Sequence, residues 1–356
     1  MRPARKGRSP RAWARAGRGA AWLALCLACG ASLAAEPTLH LAHRFPIPGA
    51  APVRAIAFGP GGTDAYVAAG SELRDYRAAT AQLTGTLALP APVADMAIDP
   101  VGRTGFAVLT APAQLVIFRL QPLKIAASTA LTDGTPSALL FDAGAHALLV
   151  ESAQAGTVTK VDAASGRRLA SLRMQGSLRQ MAADGRGTLY VADMAHDAID
   201  VVDEARMKYL GAIPVAGCKG PSGLAIDRVG RRLFVGCADG TRYVVDTDLG
   251  FTFERLPSPL RGSSRMVFAF HPFGAAGWKG AAIGADQNGR LALVRMNAFV
   301  NYTAAGDYPL PGNFEAMALD QDTHQLWLAL GQPSSAGKAA AAVELWTLGA
   351  TAEVSK

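Results

Sequence analysis

Residues able to do chemistry are few in this 356-residue chain. Of its four cysteines, Cys26 and Cys29 lie in the first 35 residues, leaving Cys218 and Cys237 for the rest. No Cys-x-x-Cys-His is present, so covalent haem is excluded. The six histidines, His40, His43, His146, His196, His271 and His324, form no close-spaced metal motif. We therefore expect neither metal nor cofactor. Asparagine is scarce and late (Asn288, Asn297, Asn301, Asn313), which disfavours a carboxylate-and-amide metal cluster. A Ser-His-Asp hydrolase lacks the Gly-x-Ser-x-Gly elbow that would expose its nucleophile. What remains is a set of polar residues, each at or beside the start of an apolar stretch: Arg54, Asp95, Arg179, Gln180, Arg265 and Glu315. Asp193, Asp239 and Asp286 follow a second set of apolar stretches. Guanidiniums among carboxyls can hold a small anion, present a polar surface to a protein, or simply neutralise one another.

The elements that must carry these residues repeat. Seven segments share a short apolar run closing on a turn residue: Arg54–Gly59, Ala94–Asp99, Ser137–Asp142, Arg179–Asp184, Ser222–Asp227, Met266–His271 and Glu315–Asp320. The closing residues are 40, 43, 42, 43, 44 and 49 positions apart. Each run is followed by a short turn and a second strand, marked by Tyr66-Val67, Phe106-Ala107, Leu149-Val150, Tyr190-Val191, Phe234-Val235, Ile283-Gly284 or Trp327-Leu328. Third strands follow, as at Leu115–Phe118, Ile199–Val202 and Val343–Trp346. The turn Asp162–Gly166 leads into a fourth strand, Arg168–Leu172, with Gly166 at a positive-φ position. A repeat of this length containing four strands predicts an all-β, seven-bladed β-propeller of four-stranded antiparallel blades.

The chain ends supply an independent check. The last repeat stops after its third strand, near Trp346, while Leu39–Ile47 reads as a strand without a blade. Pairing that N-terminal strand into the last blade closes the ring and leaves no blade short of an edge. In such a ring the inner strands start around a central channel, so the six polar residues above become candidates for its mouth. His146, His271 and His324 fall in turns on the opposite face, as solvated residues, and His196-Asp197 falls on a loop nearer the mouth. Cys218 and Cys237 come to the same end of one antiparallel pair that turns near Val229, within reach of a disulfide. The alternative for the two thiols, a redox or metal pair, lacks a nearby His pattern.

The segments Cys218–Asp227, Arg231–Cys237 and Tyr243–Asp246, with Leu189–Asp193 and Glu315–Asp320, resemble the YVTN-repeat β-propeller family, the YncE-like exported propellers. The resemblance spans residues 36–356 and rests on architectural residues. It implies a periplasmic or surface seven-bladed propeller, and no single shared reaction.

Residues 1–18 carry seven basic and no acidic side chains, followed by the uncharged run Gly19–Ala35 ending in Ala31-Ser-Leu-Ala-Ala35. This is the pattern of a secretory signal peptide, residues 1–35, cleaved after Ala34 or Ala35. The competing reading is a transmembrane anchor, but the run is short of the ~20 apolar residues a span needs. Cys29 with Leu27-Ala28 and Gly30 faintly resembles a lipoprotein box. Seven of the 35 basic residues lie in the leader, so residues 36–356 carry as many basic as acidic groups, 28 of each. The net charge of the processed chain gives no general attraction to phosphate backbones.

These readings predict a periplasmic or secreted, monomeric, single-domain propeller (36–356) without a membrane span. Its expected work is binding or scaffolding a protein or small ligand through its loops and channel, rather than catalysis. Two alternatives are a lactonase-like hydrolase at the channel mouth and single-stranded nucleic-acid binding. The second would need stacking aromatics in a basic groove.

Overall fold

In the five repeats that close on Asp, that residue builds the turn after it. Asp227 Oδ1 accepts from the N–H groups of Val229 (3.0 Å) and Gly230 (2.8 Å), Asp184 Oδ1 from Arg186 (2.7 Å) and Thr188 (3.0 Å). Asp99, Asp142 and Asp320 capture their own turns in the same way. A short carboxylate that satisfies nearby backbone donors fixes where the strand ends and the chain reverses. His146 and His324 occupy positive-φ positions in the corresponding turns, at φ 46 and 57; His146 is exposed as expected, whereas His324 is half-buried.

The computed structural model describes residues 37–47, 51–256, 258, 260–262, 264–270, 279–298, 301–331 and 342–350. The leader, its cleavage site, Cys26, Cys29 and His271 lie outside the described residues. Seven four-stranded antiparallel sheets follow the chain. Blade 1 is Val53–Phe58, Asp64–Ala69, Glu72–Arg77 and Gln82–Ala88; blade 2 is Val93–Asp99, Thr104–Thr110, Ala113–Arg119 and Lys124–Ala130. Blade 3 is Ala138–Asp142, Ala147–Ser152, Thr157–Asp162 and Arg168–Arg173; blade 4 is Leu178–Ala183, Thr188–Asp193, Ala198–Asp203 and Lys208–Pro214. Blade 5 is Pro221–Asp227, Arg232–Cys237, Arg242–Asp246 and Phe251–Leu256; blade 6 is Ser264–Phe270, Gly280–Asp286, Arg290–Ala298 and Asn301–Pro309. Blade 7 is Asn313–Leu319, Gln325–Gly331 and Ala342–Ala350, completed by Pro37–Pro46 from the other end of the chain. Among the described residues no helix is long and apolar enough to cross a membrane.

The N-terminal strand closes the ring as the sequence predicts. It pairs antiparallel with Ala342–Ala350, placing Leu39 opposite Leu348 and Arg44 opposite Glu344. Arg44 forms an ion pair with the fully buried Glu344, whose other oxygen accepts from Trp346 Nε1 at 3.0 Å. Phe45 packs on Tyr76 and Trp327, ring centroids 5.2 and 5.4 Å apart, tying this strand to blades 1 and 7 at once.

Second strands are apolar without alternation because both faces are covered by neighbouring blades. In blade 3, Leu148 and Val150 pack toward blade 2 and Leu149 toward blade 4. The described core falls into seven clusters, one at each junction between adjacent blades, including the junction of blades 7 and 1. Gly166 sits at φ 72 in its predicted turn, where Asp162 Oδ1 accepts from Ser165 N–H at 2.8 Å. Cys218 and Cys237 form a disulfide with Cα atoms 5.5 Å apart, at the end where the chain enters blade 5.

Candidate functional site

Most inner strands do not begin as regular strands. In five of seven blades the register with the second strand slips near the mouth, between Val53/Ala55, Val93/Asp95, Leu178/Met181, Pro221/Gly223 and Phe314/Ala316. Such bulges release residues from strict alternation and re-aim their side chains. Three of the released or adjoining side chains fasten one blade to the next. Val53 N–H donates to Glu315 Oε2 (2.8 Å), Leu139 N–H to Asp95 Oδ2 (2.9 Å), and Leu224 N–H to Gln180 Oε1 (3.2 Å). Gln180 Nε2 also donates to Met266 O (3.3 Å), so one amide links blades 4, 5 and 6.

A cavity of about 350 Å³ lies on the axis, lined chiefly by inner-strand residues of blades 1 to 6. Of the six residues expected at the mouth, it gathers Asp95, Arg179, Gln180 and Arg265. Arg54 and Glu315 are not among its lining residues; they are electrostatic neighbours of each other at the junction of blades 7 and 1. Burial raises the Glu315 carboxyl, with the Val53 hydrogen bond and the Arg54 charge opposing. Asp193, Asp239 and Asp286 do not reach the cavity either. Their carboxylates are taken by nearby backbone N–H groups: Ala195 and Ser177 for Asp193, Thr241 for Asp239, Asn288 and Arg290 for Asp286. An Asp at the end of a second strand is too close to the following turn to serve the channel as well.

One cavity residue was not expected. Glu151 is the penultimate residue of the second strand of blade 3, opposite Ala138 and only 2% exposed. The matching position elsewhere holds Ala68, Val108, Ala192, Gly236, Ala285 or Ala329, so a carboxyl here breaks an otherwise small and apolar column of the repeat. Reading that column down the aligned second strands would have found it. Ser137 Oγ donates to Glu151 Oε1 (3.1 Å), while Oε2 has no hydrogen-bond partner among the described residues. Burial pushes the Glu151 carboxyl up to about 8; Ser137 and the charges of Arg179 and Arg265 oppose this, and Asp95 adds to it. Asp95, 8% exposed, is likewise raised by burial, against the charge of Arg265 and hydrogen bonds from Leu139 and Met96 N–H. Arg179 Nη1 donates to its neighbour's carbonyl, Leu178 O, at 3.4 Å. Among the described residues neither Arg179 nor Arg265 closes an ion pair with a carboxylate. Below the mouth the wall is apolar, formed by Ile56, Met96, Leu139, Leu140 and Met181. The arrangement can receive a negatively charged group at the guanidiniums and an apolar body beneath it.

His196 lies away from this cavity, at a separate hollow of about 480 Å³ lined by Arg173, Asp193, Asp200 and Tyr209. Its exposed ring is hydrogen-bonded through Nδ1 to Asp193 Oδ2, which raises its pKa. Asp200 is pushed up to about 6 by burial and then by the Asp193 charge. Among the described residues no group of three or more His, Cys, Asp or Glu side chains is arranged to hold a metal ion.

No protein-family model matches the chain, and no curated protein does. Among solved structures it is similar to the RRP9 WD40 repeats, at a TM-score of 0.71 and 14% identity over 88% of this chain and 99% of that one. It is also similar to U3-55K, at a TM-score of 0.69 and 12% identity over 86% of this chain and 98% of that one. Both likenesses establish the seven-bladed propeller architecture. At such low identity they carry no function across.

Proposed function

We propose that this chain is an exported propeller of the YVTN-repeat, YncE-like kind, acting as a binding or scaffold protein through the loops and channel mouth of one face. The observation that carries this reading is the axial cavity, where two guanidiniums and the partnerless oxygen of a buried carboxyl meet at the open end of the inner strands. Buried polar groups are ordinarily satisfied within a fold, and an exception in a cavity marks a place for a ligand. The leader of residues 1–35 and the cysteine pair support an oxidising compartment outside the cytoplasm.

The two alternatives find less support. A lactonase-like site needs several carboxyls and amides converging on the axis; here Asp95, Glu151 and Gln180 converge together with two arginines. Single-stranded nucleic acid needs stacking platforms, and none of the cavity-lining side chains is aromatic.

The test is crosslinking in the exported compartment, comparing wild type with an R179E/R265E double variant. The expected outcome is a crosslinked partner or a co-purifying small ligand that the double variant loses. Recovery of neither from wild type, or retention of full-length leader on a cytoplasmic product, would overturn the reading.

A further inference from the structure

We propose that the axial cavity takes a small organic carboxylate, its head held by Arg179 and Arg265 against Glu151 Oε2 and its apolar body lying on Ile56, Met96, Leu139 and Met181. This rests on the reading of the channel mouth as a binding site and names the class of ligand.

The argument begins from the groups that face one another. Ser137 of its own blade hydrogen-bonds Glu151, and the charges of Asp95 of blade 2, Arg179 of blade 4 and Arg265 of blade 6 act on it. Arginine brings a planar, donor-only cation to such a site. Asp95 is already committed to two backbone donors, Met96 N–H and Leu139 N–H, both at 2.9 Å. Glu151 Oε1 accepts from Ser137, which leaves Oε2 as the position for its proton. Near neutral pH a carboxyl raised to about 8 is mostly protonated. Its Oε2–H is then the donor that Glu151 adds to a cavity also lined by the two guanidiniums. Three convergent donors of this kind match the planar, two-oxygen head of a carboxylate. A dianion fits less well, since the carboxylate of Asp95 shares the mouth. The volume, about 350 Å³, stands at the small end of organic-ligand sites, and the apolar wall favours an uncharged, compact body.

Ionisation of Glu151 reverses its role. Above pH 8 the oxygen that donated becomes a negative charge beside the ligand head, so affinity falls as pH rises.

The test is isothermal titration calorimetry on the full purified chain with benzoate, hexanoate, methyl benzoate and inorganic phosphate at pH 6.5 and 9.5. Expected are one-to-one binding of a carboxylate at pH 6.5, at least tenfold weakening for the methyl ester, and at least tenfold weakening at pH 9.5. R265A should remove binding at both pH values. E151Q, whose amide donates at any pH, should bind at pH 6.5 and lose the pH dependence. Phosphate binding equal to that of the carboxylates, or a pH dependence that survives in E151Q, would overturn the inference. Failure of both carboxylates with crosslinking to a partner intact sinks this inference alone. Failure of both together with loss of crosslinking sinks the parent reading too.

Discussion

At Glu151, burial and charge pull in opposite directions. The folded chain raises this carboxyl from its ordinary 4.5 to about 8, so the native state holds a proton that the unfolded chain releases. Its contribution to stability is therefore full below about pH 4.5, declines as pH rises toward 8, and is lost above. The slope from one such group cannot exceed about 1.4 kcal/mol per pH unit. E151Q should flatten urea-unfolding stability between pH 5 and 8.5 and exceed wild type at pH 8.5; an identical decline in both would assign the effect elsewhere. Asp95 plays another part, because it joins blades 2 and 3. D95A should cost about 1–3 kcal/mol by leaving the Leu139 N–H unsatisfied, measured by the same titration, whatever the ligand. A residue at the channel mouth can thus be read as a binding group when its first duty is to the fold. Asp95, Gln180 and Glu315 all carry that duty.

Strands and turns carry the next level. The disulfide closes a loop spanning a separation of 19 residues at the start of blade 5. Its removal by C218S/C237S should lower stability by about 3 kcal/mol in the chain-entropy model. The wild-type chain should show a mass two hydrogens below the reduced form, and alkylation of both thiols without reductant would refute the bond. The N-terminal strand matters more than its length suggests. Arg44, Phe45 and Leu39 reach Glu344, Trp327 and Tyr308 respectively. Deleting residues 37–46 should abolish cooperative unfolding, since it exposes both the edge of blade 7 and the aromatic cluster beneath it. A truncated chain melting within a few degrees of wild type would show that the ring closes without this strand.

For the whole ring, stability resides in the junctions between blades. Trp327 is fully buried at the junction of blades 7 and 1, among Phe45, Phe58 and Tyr76. W327A should cost about 3–5 kcal/mol, through lost burial and the cavity left behind. Chemical denaturation of the closed ring is the measurement. Because every blade leans on two others, loss at one junction should reach the whole transition and not split it. A two-step unfolding curve in W327A would show independent blades.

The sequence by itself determined the repeat, the blade count, the strand that closes the ring and the cysteine pair. These depend on local periodicity, turn chemistry and the chain ends, all of which are written in linear order. It also pointed to Asp95, Arg179, Gln180 and Arg265 as residues near the channel, because each stands at or beside the start of a first strand of the repeat. Only the tertiary structure decided which of the polar residues share a cavity. Bulges at the starts of most inner strands re-aim side chains over a few ångströms, and the groups they meet belong to other blades, 44 to 262 positions away. Glu151 shows the physical reason most plainly: its burial, its raised carboxyl and its arginine neighbours are properties of four blades meeting at an axis, which no stretch of one blade contains.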